Sequence, residues 1–339
     1  MVIAKGGGGD YVLGSHGCTC MAGTFGKKCK HIAEAERRGL MPLEINNLRP
    51  EKSMSSFSKE LNIVAGGDFY NSDVIVAVHG KAGVGKSLFS IHECVKAAAE
   101  GRNFLYIDTE GGFKSMAEKW LPKLQERFGE LKGHGYVETR KTLASLHEFL
   151  GYKTEILWVK EKMEFRILSS KNPSELEDFV EKKKIDFIVV DSVSAPVEAA
   201  INEERQNRPA RFSATALIMG KLAEVQEKYG SCILTIHHSS FDPTNPYEVF
   251  ARIRGGKIVQ HYCKRILYMD MREKSELSAY RRLWVARMED KEKFSDVVVL
   301  RIGDDGFFDV SPNESLKAGV FTSSELEYLE GNPRFQVRK

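Results

Sequence analysis

The chain has 339 residues, of which 42% are hydrophobic and 29% charged, and its formal net charge is +3. That hydrophobic content is enough for a packed core and argues against intrinsic disorder, while the nearly balanced charge neither requires nor excludes nucleic acid as a partner. No apolar run approaches the roughly 20 residues that a membrane span needs, and Met1–Asp10 lacks the apolar centre of a signal peptide; we therefore expect no membrane contact and a cytoplasmic protein, or a nuclear one in a eukaryote.

Four potential metal ligands lie close together near the N-terminus. Cys18 and Cys20 are followed, after eight residues, by Cys29 and His31. Three thiolates and one imidazole satisfy tetrahedral Zn²⁺, and so short a segment has almost no core in which to bury free thiols. The sequence therefore predicts a zinc module over residues 1–40. The other cysteines lie in or beside predicted helices and strands and are expected in the core: Cys94, Cys232 and Cys263.

A linker is predicted over residues 41–60, which contain Pro42, Pro50 and a Ser-rich stretch. From residue 61 to 312, apolar β-type runs alternate with helical patterns, which predicts an α/β core with a mostly parallel twisted sheet and helices on both faces. The predicted strands are Val74–Val78, Phe104–Asp108, Glu164–Leu168, Ile185–Asp191, Cys232–His237, Arg265–Met269, Leu283–Met288 and Val297–Ile302, and the predicted helices are Lys86–Ala99, Pro173–Lys183 and Ala210–Tyr229. The last three strands follow one another without helices, which predicts an antiparallel edge before a C-terminal tail at 313–339.

A phosphate-binding loop follows the first predicted strand. The residues Gly80, Lys81, Ala82, Gly83, Val84, Gly85, Lys86 and Ser87 match G-x-x-x-x-G-K-[ST] in full, and an amphipathic helix follows. Backbone N–H groups of such a loop wrap a phosphate, and the helix N-terminus adds its dipole. Lys86 would reach the β- and γ-phosphates of ATP, and the Ser87 hydroxyl would bind Mg²⁺. The strand–loop–helix setting argues against a chance glycine-rich turn.

Acidic residues follow two other predicted strands. Asp191 ends Ile185–Asp191, where the tip of a buried strand faces the ligand crevice, and we expect it to hold the Mg²⁺ shell. The alternative is an Asp that caps the following turn. Glu110 follows the strand Phe104–Asp108 and is the candidate for activating the attacking water.

The order of these motifs resembles the RecA/RadA recombinase family and its archaeal paralogues. The resemblance rests on the P-loop, the segment Tyr106–Phe113 (YIDTEGGF), the segment Ile188–Ser192 (IVVDS), Arg254–Lys257 (RGGK) and Gly303–Asp309 (GDDGFFD), and covers roughly residues 57–310. It implies a RecA-like P-loop ATPase that forms rings or filaments, with Glu110 as the water-activating residue and DNA-binding loops after Asp191 and His238. The N-terminal ligands resemble the SWIM zinc finger, a module linked to DNA or protein binding.

The sequence also departs from the recombinase pattern. His237 and His238 stand where recombinases carry a γ-phosphate-sensing Gln, and such a pair is similar to that of RepA-type hexameric helicases. We expect both histidines to contribute to the nucleotide site. Ala117 occupies the position of the adenine-packing Arg, and the linker contains no Phe-x-x-Ala polymerisation motif. These differences argue against strand exchange and leave ATP binding intact.

Two basic loops are the candidate DNA contacts. One follows Asp191 and the other follows His238, and their basic residues could pair DNA phosphates, of single-stranded DNA rather than duplex: Arg205, Arg208, Arg252, Arg254 and Lys257. The alternatives are solvated loops, or arginines that reach the ATP of a neighbouring subunit. Lys291 and Lys293 are a second candidate for such a reach, although a Lys/Glu-rich turn is usually solvated.

The function predicted from these features is a DNA-dependent ATPase that assists recombination or repair, acting as a homo-oligomer or with a recombinase partner. The alternative is a hexameric helicase or a KaiC-like signalling ATPase on the same fold, which the His pair favours. A third possibility is a scaffold that binds ATP with little turnover.

Overall fold

The structure is a computed structural model that describes residues 2–6, 9–14, 17–18, 52–159, 162–202, 204–240, 249–272, 275–289 and 291–335. The chain divides into two units, Met1–Glu51 and Lys52–Lys339. The first contains an antiparallel sheet in the order β1 (Val2–Gly6), β2 (Gly9–Gly14) and β3 (Gly17–Cys18). Of the predicted zinc ligands, Cys20, Cys29 and His31 lie outside the described residues, as does the side chain of Cys18.

The second unit is a large α/β domain. Its strands are β4 (Ser53–Met54), β5 (Tyr70–Asn71), β6 (Ile75–Gly80), β7 (Phe104–Asp108), β8 (Gly135–Thr139), β9 (Tyr152–Val159), β10 (Glu164–Lys171), β11 (Phe187–Asp191), β12 (Cys232–Ser240), β13 (Arg252–Ile253), β14 (Cys263–Asp270), β15 (Tyr280–Arg287), β16 (Val297–Gly303) and β17 (Gly306–Val310). Its helices are α1 (Lys59–Ala65), α2 (Lys86–Ala99), α3 (Phe113–Phe128), α4 (Leu143–Phe149), α5 (Glu175–Lys183), α6 (Ser194–Ala200), α7 (Arg208–Tyr229), α8 (Gly256–Tyr262), α9 (Pro312–Lys317) and α10 (Ser323–Tyr328). Within the described ranges, no helix is long and apolar enough to cross a bilayer.

The central sheet has the order β17-β16-β15-β14-β6-β12-β11-β7-β8, and the short strand β13 pairs with β12. The strands from β14 to β8 in that order are parallel, whereas β14 to β17 pair antiparallel. The prediction of a mostly parallel sheet with an antiparallel edge is confirmed. The carboxyl ends of β6, β7, β11 and β12 therefore meet at one edge of the sheet, where ligands bind in such folds.

Both faces of the sheet are covered, and β11 shows why its sequence is continuously apolar. Side chains alternate between the two faces of a strand. Phe187 and Val189 belong to one core with α2, while Ile188 and Val190 belong to the other with α4 and α7. A strand buried on both sides has no solvated face that would favour polar residues, so its pattern is an apolar run rather than an alternation.

The ends of the second unit are packed against it. Phe57, within the predicted linker, belongs to the core beside α2, and the Ser58 side chain caps α1. At the antiparallel edge a third core forms around the buried Trp284, and Phe321 and Leu329 of the predicted tail pack there.

Some elements match the sequence-based prediction and others differ from it. Helix α2 and strand β7 have the predicted bounds, and the three cysteines predicted in the core are buried. The predicted strand Glu164–Leu168 is a strand, but it pairs with β9 in a separate two-stranded sheet. Among the elements that the sequence did not predict are β8, β17 and α3. Helix α3 contains Pro122, and β8 begins at a glycine, and both features weaken the local signal.

Candidate nucleotide site and basic cleft

The P-loop leaves the sheet at the end of β6, where close packing and backbone conformation both select glycine. A Cβ atom on Gly80 would lie 2.2 Å from the carbonyl oxygen of Met269 in the neighbouring strand β14. Gly83 and Gly85 have φ values of 78° and 102°, in the left-handed region that other residues rarely adopt. The loop thus turns back over the start of α2, whose first residue is Lys86.

The Lys86 side chain is buried and crosses the loop. Its Nζ donates hydrogen bonds to the carbonyl oxygens of Gly80, at 3.0 Å, and Lys81, at 2.8 Å. Burial lowers the pKa of Lys86, and the negative charges of Asp191 and Glu110 partly offset that effect. The ammonium is therefore held inside the loop that would surround a phosphate.

A buried arginine on another strand of the sheet also contacts the P-loop. Nε of Arg281, on β15, donates a hydrogen bond to the carbonyl oxygen of Val84 at 2.6 Å. The sequence did not indicate Arg281 as a site residue, because it lies just before the predicted strand Leu283–Met288 and nothing in that segment signals a contact with the P-loop.

Asp191 and Ser87 come together beside the P-loop. Asp191 is buried at the tip of β11, and its Oδ2 accepts a hydrogen bond from the Tyr106 hydroxyl at 2.5 Å. Burial raises the pKa of Asp191, and hydrogen bonds from Ser87 and Tyr106 act in the opposite direction. The pair supplies oxygen donors of the kind that Mg²⁺ prefers. The described part of the chain contains no group of three or more His, Cys, Asp or Glu residues that could hold a metal.

Glu110 projects from the loop after β7, which Asp108 shapes. The Asp108 carboxylate accepts hydrogen bonds from the backbone N–H groups of Glu110, Gly111 and Phe113, at 3.1, 2.7 and 3.1 Å. Glu110 Oε1 in turn accepts a hydrogen bond from Ser192 Oγ at 2.7 Å and lies 3.2 Å from His238 Nε2. The hydrogen bond from His238 is the main reason that the pKa of Glu110 is lowered.

The two histidines at the end of β12 have different surroundings because neighbouring side chains on a strand point in opposite directions. His238 lies between Glu110 and Glu198, whose Oε2 is 2.9 Å from Nδ1, and hydrogen bonds to both carboxylates raise the pKa of His238 to about 9. His237 is fully buried, with Nε2 3.0 Å from Thr235 Oγ1, and burial lowers its pKa to about 3. Of the predicted pair, only His238 contacts Glu110.

A cleft of about 1320 Å³ opens beside His237 and Glu198. The Lys, Arg, Asp and Glu residues among its described lining are all Lys or Arg, with the exception of Glu198. Four of its cations were predicted as DNA contacts, and three others were not assigned to DNA: Arg208, Arg252, Arg254 and Lys257, and then Arg211, Arg287 and Lys293. Arg205 lies in a 3-10 turn before α7, and its side chain is not among those described. Lys291, the other candidate for reaching a neighbour, has its Nζ 3.1 Å from Asp296.

One aromatic side chain stands out in this cleft. Phe212, on α7, lines it and remains 50% exposed. A large exposed aromatic ring among cations is a surface on which an unpaired base can stack. Nothing in the sequence singles out this position, since a Phe in a predicted helix usually belongs to the core.

Comparisons with known proteins agree with this architecture. A family model described as an AAA domain matches residues 42–243. The chain is similar to a protein named DNA repair and recombination protein RadB from Methanobrevibacter smithii, with 24% identity over 216 residues that cover 62% of this chain and 77% of the relative. It also resembles the crystal structure of the RadB recombinase, with a TM-score of 0.54 and 20% identity over 76% of this chain and 99% of the other. At that identity the structural likeness establishes the fold.

Proposed function

The chain belongs to the AAA domain family, and we propose that it is a DNA-dependent ATPase with a RecA-like core that assists DNA recombination or repair. The observation that carries the proposal is the arrangement at one edge of the sheet. The P-loop, Asp191 and Glu110 meet there, and a hydrogen-bonded histidine links Glu110 to the wall of a basic cleft. The name of the similar RadB protein supports a role in repair and recombination.

In this proposal the backbone N–H groups of the P-loop bind the phosphates of ATP. Lys86 would exchange its two carbonyl partners for β- and γ-phosphate oxygens, since a charged acceptor forms the stronger hydrogen bond. Ser87 and Asp191 would hold Mg²⁺, which neutralises phosphate charge when it is bound. Glu110, whose side chain is 46% exposed, can reach a water molecule and accept its proton.

DNA would bind in the basic cleft. Its cations would pair with backbone phosphates, which gives affinity without sequence preference. Phe212 favours single-stranded DNA, because only unpaired bases can stack fully on a protein side chain. We expect Arg205 to add to this surface, and we propose that the protein acts as a homo-oligomer or with a recombinase partner, as the recombinase resemblance implies.

The decisive experiment measures steady-state ATP hydrolysis without DNA, with single-stranded DNA and with duplex DNA of equal length. We expect single-stranded DNA to give the largest stimulation. A rate of ATP hydrolysis that neither form of DNA changes would favour the KaiC-like alternative. ATP binding with almost no hydrolysis would favour a scaffold. Duplex unwinding in the same samples would identify a helicase, which the position of His238 beside Glu110 also allows.

A second part of the proposal concerns residues 1–40. We propose that Cys18, Cys20, Cys29 and His31 bind one Zn²⁺ per chain in a SWIM-type finger, because three thiolates and one imidazole form a complete structural zinc set. Metal analysis of the purified protein should give one zinc per chain, and Cys20→Ser should lose it. Full zinc content in Cys20→Ser would overturn this ligand assignment, and Cys94→Ser is the matched control because Cys94 is buried in the core.

A further inference from the structure

Glu198 is a partly buried carboxylate that no motif identified, and its two oxygens face different parts of the molecule. Oε2 lies 2.9 Å from Nδ1 of His238, on the side of the hydrolytic residues. Oε1 lies 3.0 Å from Nη1 of Arg254, on the side of the basic cleft. Arg211 Nη2 is 3.9 Å from the same oxygen. Cations thus hold one oxygen of Glu198 in place and leave the other for His238.

The backbone around Glu198 fixes this geometry. The backbone N–H of His238 donates to Ser194 Oγ at 2.8 Å, so the first turn of α6 is tied to the end of β12. The Val193 N–H donates to the carbonyl oxygen of Ile236, and the Arg254 N–H donates to that of His238. The start of the helix that carries Glu198 is therefore bonded to the strand that carries His238, and that strand is bonded to Arg254.

The contacts of the His238 ring determine its protonation. Nδ1 faces Glu198 and Nε2 faces Glu110, at 2.9 and 3.2 Å. A neutral imidazole has a single N–H and could donate to one carboxylate, whereas the doubly protonated ring donates to both. Burial would raise the pKa of Glu198, but the hydrogen bond from His238 and the charges of His238 and Arg254 lower it overall.

We propose that Glu198 is a positioning residue for ATP hydrolysis, which holds His238 in its doubly protonated form with Nε2–H directed at the Glu110 carboxylate. This inference rests on the proposed ATPase function for its catalytic meaning, and on geometry alone for the contacts. Ser192 and His238 then both donate to Oε1 of Glu110, so that the orientation of this carboxylate depends, through His238, on a residue of the cleft wall.

Other charges around the ring must be included in any pH test. The ring faces Glu110 from the loop after β7 and Glu198 from α6, while its neighbour His237 on β12 is buried with a lowered pKa. Cations act on the two carboxylates from the P-loop helix, from α7 and from the turn before α8: Lys86, Arg211 and Arg254.

The first test is an NMR titration of the histidine rings in the full chain without nucleotide. The His238 signal is assigned as the one that disappears in His238→Gln. In Glu198→Gln, which keeps the side-chain size and removes the charge, the pKa of His238 should fall by about 1–3 pH units, the usual effect of one opposite charge at this distance. Glu198→Asp retains the charge and should keep part of the raised pKa. The control is Glu224→Gln on α7, whose carboxylate pairs with Lys221. An unchanged His238 pKa in Glu198→Gln would overturn the inference.

The second test is single-turnover hydrolysis as a function of pH in the same variants, with ATP affinity measured in parallel. The alkaline limb of the rate profile should move to lower pH in Glu198→Gln by the amount seen in the NMR titration. ATP affinity should stay within about twofold of the parent, because the proposed contact acts on the hydrolytic step and not on the binding of ATP. An NMR change without a change in the rate profile would overturn the role in hydrolysis. A parent protein without turnover would overturn the proposed ATPase function, and the NMR titration would still decide the contact between Glu198 and His238.

Discussion

The phosphate side and the hydrolytic side of the candidate site are built in different ways. The phosphate side is one continuous loop between β6 and α2, and its lysine is held by carbonyl oxygens of that same loop. On the hydrolytic side, Glu110, His238 and Glu198 come from three elements that are distant in the chain. A local motif can therefore specify a phosphate-binding loop, whereas the environment of Glu110 depends on how strands and helices pack.

The first prediction tests the local side of this comparison, and it concerns ATP binding, without which no hydrolysis can follow. Lys86→Ala removes the ammonium at the centre of the P-loop, and ATP affinity should fall by at least about 10²-fold, as expected when a buried charged partner is lost. Isothermal titration with ATP measures this loss, and circular dichroism shows whether the fold is retained. Lys96→Ala on the same helix is the control, since that lysine pairs with Glu100 outside the loop. Parental ATP affinity in Lys86→Ala would remove the phosphate assignment.

The next effect separates binding from hydrolysis. Glu110→Gln keeps size and polarity but removes the base, so single-turnover hydrolysis should fall by roughly 10²–10⁴-fold, while ATP affinity stays near that of the parent. Glu126→Gln, an exposed position on α3, serves as the control. Nearly parental turnover would mean that Glu110 only shapes its loop and that water activation belongs to another residue.

A smaller effect is expected in the cleft. Arg208→Ala, Arg252→Ala and Lys257→Ala in one variant remove three cations and leave the Arg254 partner of Glu198 intact. The slope of log affinity for single-stranded DNA against log salt should decrease by about 2, since each lost phosphate contact contributes about 0.7. Fluorescence anisotropy at several salt concentrations measures it.

The control for the cleft variant removes three exposed lysines elsewhere, with Lys119, Lys132 and Lys182 changed to Ala. Equal slopes in the cleft variant and the parent would place DNA binding outside the cleft.

Phe212→Ala should weaken binding to single-stranded DNA by about 1–3 kcal/mol per stacked base and leave the salt slope unchanged.

The last prediction tests where the local motif itself depends on tertiary packing. Gly80→Ala places a Cβ atom against the Met269 carbonyl oxygen and should cost about 1–3 kcal/mol of unfolding free energy, as for other overpacked sites. Gly112→Ala is the matched control, because its Cβ would meet no atom within 4 Å and its φ is −92°. Equal unfolding curves for the two variants would show that β6 and β14 can separate at no cost.

Features that depend on consecutive residues could be predicted from the sequence. The P-loop, the bounds of α2 and β7, and Asp191 at the tip of a buried strand all follow from patterns within one segment. The same holds for the antiparallel edge, which follows from three strands without intervening helices. Pairing was not predictable in this way: a strand pattern at Glu164–Leu168 does not say that its partner is β9 rather than the main sheet.

The sequence by itself determined that this chain has a P-loop core with a nucleotide site, because the turn, the charge and the helix start of that site lie within eight residues. Only the tertiary structure decided that His238 rather than His237 contacts Glu110, that Glu198 and Arg254 hold His238 from the other side, and that Phe212 faces the cleft. The physical reason is that hydrogen bonds and ion pairs between distant segments depend on strand register and helix docking, which the identity of the single residues does not specify.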